Sequence, residues 1–383
     1  MARRANQDPN VDPDEDPNKI IDIDIAPYVV SPLVFETPGQ VQTAFEGLLD
    51  RVPGANAQNG EFIERKIRAS LLHLQFLAGD KIPFREHVQT AMGVTPELID
   101  EDELDKQQEA LDAELKKHGL GFESRYAEAF DDQLVLKEPK VEIEKRLLGA
   151  AAWAGQLIAD YTGRKPLVVT PAITEVDKSW VGWFGTRTGS GKPFFKMNVH
   201  PRHKHTPARI GAIAVHEMGH GTHFGIWKEA ILRRDMSPVM GVTTMHTPEN
   251  TQAEAYAQLI EQIGLRSFGG RDAWQYQWQA DYHDYLERVW NNAHIMINTG
   301  YDEPKVVDYV TGRLPFTAVD TIKQDVPERR DDPMIRGYFA CYEPALDAVR
   351  PVLAMPTEQQ KAVIARLGSQ PLTEAQMRAV VAG

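Results

Sequence analysis

The chain has 383 residues, is 42% hydrophobic and carries 42 basic against 55 acidic residues, a formal charge of −13. That length and apolar content support a substantial core, and the acidic balance excludes a general binder of nucleic acid or anionic membrane, whose surfaces are basic. A single cysteine, Cys341, excludes an intrachain disulfide and a cysteine zinc cluster, and reads as a small buried residue.

In chain order, residues 1–30 form an acidic tail rich in Asp and Pro. It lacks the apolar residues that offset ordering entropy, so it is expected to be mobile or held only by packing. Arg3 and Arg4 are followed by this polar run and not by an apolar segment, and no later run approaches a membrane span. The expected compartment is therefore the cytoplasm, with no membrane partner. Residues 31–383 read as one domain, because no Gly- or Ser-rich linker divides them. Its N-terminal part, residues 31–135, is helical, with apolar residues at helical spacing in GQVQTAFEGLLDRV, EFIERKIRASLLHLQFLAG and FREHVQTAMGV. Residues 96–118 are strongly charged with a thin apolar stripe and read as an exposed hairpin arm. Residues 140–161 predict a helix with small residues for close packing.

The period then changes. Residues 166–174 and 194–200 read as short strands, with 180–184 a third. Between them GTRTGSGKP resembles a phosphate loop only superficially, because Thr186 stands where glycine is needed and Pro193 replaces Ser or Thr. A hairpin turn is the better reading. The 194–200 strand, taken as an edge, leads into the next helix and offers an extended peptide a backbone to pair with. His200, His203 and His205 in the connection HPRHKHTP are a weaker candidate for a second metal site, their spacing being irregular and without a nearby acid.

The stretch ARIGAIAVHEMGHGTHFGIWKEAILRR contains His216-Glu217-Met218-Gly219-His220, a match to H-E-x-x-H. On a helix the two histidines stand about one turn apart on one face, so both imidazoles can reach one metal ion. Glu217 is placed to take a proton from water activated there. A catalytic zinc ordinarily has a third protein ligand. The following helix, predicted from about residue 248 to 263, supplies Glu254, which lies 34 residues after His220. Glu261, two turns further along the same face, is expected to orient a ligand. Glu249 is the alternative ligand at the helix start. His223 falls on the ligand face and is a candidate to touch substrate, and His246 has a similar but weaker claim. Further helices are predicted at 271–298, 304–311 and 333–353, with two short ones at the C-terminus.

HEMGH followed by AEAYAQLIEQIG resembles the gluzincin metallopeptidases, in which a downstream glutamate completes the site. Within them the chain is similar to the mostly helical branch of Taq-type carboxypeptidases, thimet-type oligopeptidases and the bacterial domain of unknown function 885. LERVWNNAHIMINTGYDEPKVVDYV and IRGYFACYEPALDAV resemble downstream segments of the last of these. The resemblance covers about residues 140–350 and is strongest at the metal motif. It implies that Arg336 grips a substrate carboxylate and that Tyr338 or His294 stabilises the oxyanion. The extended H-E-x-x-P-G-H-H form of that family is missing here, and its downstream histidine falls near Ile297, so substrate specificity is not carried over.

The expectation is a mainly α (α+β) zincin with a small β-sheet beside the metal helix. One Zn²⁺ is held by His216, His220 and Glu254, and the activity is metallopeptidase-like hydrolysis of a peptide or small amide. The alternatives are a biosynthetic metalloenzyme on the same scaffold, and a binding protein that keeps metal for structure. A structural site has no need of Glu217.

Overall fold

The computed structural model describes residues 21–22, 37–50, 60–120, 140–186, 193–203, 205–333 and 335–383. Helices dominate, as the apolar spacing predicts. The first four are α1 (Pro38–Leu49), α2 (Gly60–Leu77), α3 (Phe84–Met92) and α4 (Glu101–Lys117), followed by α5 (Lys140–Thr162). The metal-motif helix is α6 (Pro207–Leu232), capped by the Thr206 hydroxyl on the Arg209 amide with Pro207 in its first turn. After it come α7 (Glu249–Ser267), α8 (Ala273–Asn298), α9 (Glu303–Arg313) and α10 (Val319–Asp331). The remainder are α11 (Ile335–Tyr338), α12 (Tyr342–Val349), α13 (Thr357–Ser369) and α14 (Glu374–Ala382).

The sheet contains β2 (Thr170–Thr174), β3 (Gly182–Thr186) and β4 (Pro193–Asn198) in the order β2-β4-β3. The central β4 runs parallel to β2 and antiparallel to β3. This corrects the expectation that β4 is an edge. Phe194, Phe195 and Met197 are all buried, so β4 has apolar side chains on both faces and is held between neighbours. The edge that lies against α6 is β3. Most of the turn read at GTRTGSGKP lies outside the described residues, as does the 1–30 tail apart from β1 (Ile21–Asp22), which pairs antiparallel with β5 (Val242–Thr243).

The main core is built where α5, α6, α7 and the C-terminal helices meet. Helix α6 crosses α7 closely: a Cβ on Gly219 would sit 3.1 Å from the Ala257 Cα. Any larger residue there would push apart the helices that carry the candidate ligands. Helix α7 is buried on every side from Glu249 to Leu265, polar residues included.

Three other expectations change. The charged segment at 96–118 is not an exposed hairpin arm but a single helix, α4, capped by the Asp100 carboxylate on the Asp102 amide. Its Leu104, Leu111 and Leu115 are fully buried in a second cluster with Trp278, Tyr285 and Val306. A stripe of three leucines is narrow in sequence, but it lies on one face and suffices to dock the helix. Helix α10 was not anticipated; Pro327 lies inside it and Asp, Glu and Arg dominate its composition. The segment predicted as one helix at 333–353 is broken into α11, a 3₁₀ turn (Phe339–Cys341), α12 and a second 3₁₀ turn (Arg350–Ala354).

Leu111→Ala should therefore cost about 2–5 kcal/mol in chemical denaturation, as for a buried leucine. Glu109→Ala, exposed on the same helix, should stay within about 0.5 kcal/mol of wild type. Equal, small effects would restore the exposed-arm reading.

Candidate metal centre

On α6 the i, i+4 spacing brings His216 and His220 to the same side, their Nε2 atoms 3.1 Å apart. Glu254, on the second turn of α7, faces both: Oε2 lies 3.4 Å from His216 Nε2 and Oε1 lies 3.4 Å from His220 Nε2. One donor atom from each residue falls within 4.8 Å of the other two, the one grouping of this kind among the described residues. The Glu254 Oε2 atom is buried without a hydrogen-bond partner. A buried carboxylate oxygen so placed needs positive charge, and two imidazoles with one carboxylate form a donor set suited to zinc. The residues present thus fit a divalent metal ion.

Without an ion these groups balance one another's charge. Burial disfavours a charge on His216, but Glu254 and Glu261 outweigh it and hold its pKa well above the ordinary histidine value. Burial likewise works against ionisation of Glu254, yet His220 and His216 keep it a carboxylate. His216 Nδ1 faces Glu261 Oε2 at 3.1 Å, as expected for an orienting acid. Glu217 is buried, and burial raises its pKa against the opposing pull of His216 and His220. It points toward the edge strand: a Cβ on Gly182 of β3 would run into the Glu217 carboxylate. Only glycine leaves that space open.

The other predicted residues divide. The Tyr338 hydroxyl reaches the centre, but it donates to Glu254 Oε1. Arg336 does not face the centre: its guanidinium is held by the Asn298 side chain (3.0 Å), His87 Nδ1 (2.7 Å) and the Ile82 carbonyl (3.2 Å), and it stacks over Phe76 and Phe84. These contacts turn the guanidinium toward α3 and the end of α8, so it is not aimed at a substrate on the three candidate ligands. His294 is fully buried with Nε2 2.9 Å from the Arg336 carbonyl, which braces that backbone and leaves the ring no access to a reacting group. His223 is also fully buried, stacked on Tyr256 at 4.8 Å and edge-on to Trp227 at 4.7 Å, so it cannot touch substrate. By the step of about 100° per residue His223 stays on the side of His216, but it stands two turns further along α6, where Tyr256 and Trp227 enclose its ring.

The alternative ligand Glu249 pairs instead with Lys66 and accepts from the Thr247 hydroxyl at 2.8 Å. His246 stacks flat on His73 at 4.2 Å. His203 and His205 bind no common metal position; their Nε2 atoms meet the carbonyls of Lys178 (2.8 Å) and Asn198 (2.7 Å) and brace the loop after β4. Cys341 is buried, as expected. Sequence reasoning missed His283 of α8, whose Nδ1 lies 2.6 Å from Glu261 Oε1. Its one local sign was the His283–Glu287 spacing of one helical turn. It also missed Tyr342, which packs edge-on against Tyr338 at 5.4 Å.

No family model matches the chain, and no curated protein matches it. Among solved structures, its fold is similar to that of a "putative lipoprotein" from Colwellia psychrerythraea, with a TM-score of 0.56 and 13% sequence identity over 85% of this chain and 55% of that one. The chain thus spans about half the length of that structure. At this identity the likeness is one of fold alone.

The buried loop histidines make acid sensitivity testable. Burial, together with Arg209, lowers the His205 pKa to about 3. Its folded value lies below its unfolded one, so its contribution is fully present above about pH 6.5 and is lost as pH falls toward 3. Urea unfolding at pH 7 and pH 4.5 should show a larger loss for wild type than for His205→Gln, by up to about 1.4 kcal/mol per pH unit. Equal losses would mean that His205 is charged in the fold.

Proposed function

We propose that the protein is a zinc-dependent hydrolase that cleaves a peptide or amide bond, with short peptides as its substrates. The observation that carries this reading is the convergence of His216, His220 and Glu254, with the buried carboxyl of Glu217 within electrostatic reach of both histidines. His216, His220 and Glu254 would hold the ion, which when bound supplies Lewis acidity toward a scissile carbonyl and lowers the pKa of water. The resemblance of HEMGH and its downstream glutamate to the gluzincins supports the same reading.

The protein's own groups then have distinct tasks. Glu217 is the general base: its raised pKa suits a carboxyl that takes a proton from attacking water and passes it to the leaving amine. Tyr338 donates to Glu254 and keeps that carboxylate turned toward the histidines. Burial and the nearby Glu254 push the tyrosine pKa far up, so it remains a donor. Glu261 orients His216 through Nδ1. Strand β3 has β4 on one side and no paired strand on the other among the described residues. Glu217 meets the face of β3 at Gly182, so a substrate that pairs its backbone with the free side of this strand would run beside the general base.

Purified protein should carry about one zinc per chain, with loss of that zinc in His216→Ala. Glu217→Gln should keep the metal and the fold while lowering turnover of a mixed short-peptide library by about 10²–10⁴. Wild type without zinc after incubation with the ion, or a fully active Glu217→Gln, would end this reading. Gly182→Ala should displace the Glu217 side chain and lower turnover with zinc content unchanged, because the flexible carboxylate yields before the strand does. Mass spectrometry of the peptide products and elemental analysis read both outcomes.

A further inference from the structure

The centre does not end at Glu261. His216 offers Nδ1 to Glu261 Oε2 at 3.1 Å and turns Nε2 toward His220 and Glu254. The second oxygen of Glu261 faces His283 Nδ1 at 2.6 Å, and His283 Nε2 lies 3.4 Å from Glu287 Oε1. Four side chains therefore alternate, imidazole and carboxyl, from α6 through α7 to α8. The Glu261 side chain is 1% exposed, whereas those of His283 and Glu287 are 28% and 19% exposed. The chain runs from the buried centre toward solvent.

Geometry gives His283 a definite task. A carboxylate buried this deeply must have both oxygens satisfied. Without a donor on Oε1, the Glu261 carboxyl can rotate to bring either oxygen to any nearby N–H, and Oε2 loses its fixed aim at His216. His283 occupies Oε1 and sets the carboxyl plane. Both of its ring nitrogens face carboxylate oxygens, an arrangement that a doubly protonated ring satisfies and a neutral one does not. Glu287, one turn along α8, holds the far side of the ring.

We propose that His283, held by Glu287, is a positioning residue for the metal centre, fixing Glu261 so that His216 presents Nε2 to the ion. This rests on His216 being a metal ligand, as in the function proposed above. Nothing in the spacing of the H-E-x-x-H motif or its downstream glutamate points to α8.

The test is zinc affinity of the full chain, measured by competition with a chromophoric chelator, for wild type, His283→Phe, His283→Gln, Glu261→Gln and the double variant His283→Phe/Glu261→Gln. Removing the ring donor with phenylalanine should weaken zinc binding about 10-fold, the scale of losses beyond the ligand shell. Glutamine keeps a donor for Glu261 and should recover most of that loss. In the Glu261→Gln background His283→Phe should add nothing, because its effect passes through Glu261. The visible spectrum of the cobalt(II)-loaded protein should change in His283→Phe and return toward wild type in His283→Gln. If circular dichroism shows that His283→Phe does not fold, Glu287→Gln takes its place, and it should weaken zinc binding in the same direction. Zinc affinity unchanged within about twofold in the folded variant, or effects that multiply in the double variant, would overturn the proposal. Wild type that binds no zinc would overturn it together with the proposed function, whereas wild type that binds zinc beside unaffected variants would overturn this inference alone.

Discussion

Two carboxylates on a helix that solvent does not reach, Glu254 and Glu261, must each find positive charge, and the architecture is arranged to deliver it. Isolated in an apolar interior, either group would give up its charge by binding a proton. Here His216 lies between them, 3.4 Å from one and 3.1 Å from the other, while His220 faces the first and His283 the second. The close crossing of α6 and α7 at Gly219 is what brings these groups within reach. A wider crossing would leave buried acids with no partner.

The same helix carries its other polar residues by a second device. Gln252 donates to the carbonyls of Leu367 and Gln370 and accepts from the Leu372 amide, Gln258 donates to Tyr342, and Gln262 donates to Ala280. Each amide bonds a backbone group of the C-terminal segments or of α8. Helix α7 is thereby pinned by directional bonds as well as by packing, which is what a ligand on a fixed element requires. The Tyr338 hydroxyl adds a further bond, on Glu254 itself.

Histidine chemistry in this chain is decided by neighbours. His216 and His283 face carboxylates and are pushed toward the charged form. His223, one turn from His220, lies between aromatic rings, and burial drives its pKa down to about 3. His294 and His205 follow the same rule, each with one ring nitrogen on a backbone carbonyl. A histidine near the motif is therefore not a site residue by proximity. What it faces decides.

The sequence by itself determined what depends on neighbours along the chain. Residues at i and i+4 on a helix share a side whatever surrounds them, so His216 and His220 were legible, as were the mainly helical class, the three short strands and the step of two turns from Glu254 to Glu261. Tertiary structure decided what depends on contacts distant in sequence. Glu249 stands as an alternative to Glu254 on the same helix until Lys66 is seen to claim it. The sheet order that makes β3 the edge and β4 the centre is a matter of pairing, which alternation alone does not specify. Arg336 and His294 read as functional until their partners, in segments far from them in the chain, are seen to bind them elsewhere. His283 lies 22 residues beyond Glu261 and meets it only because α8 packs beside α7. Local geometry repeats along a chain and can be read from spacing, whereas a contact between helices exists only once the core has closed.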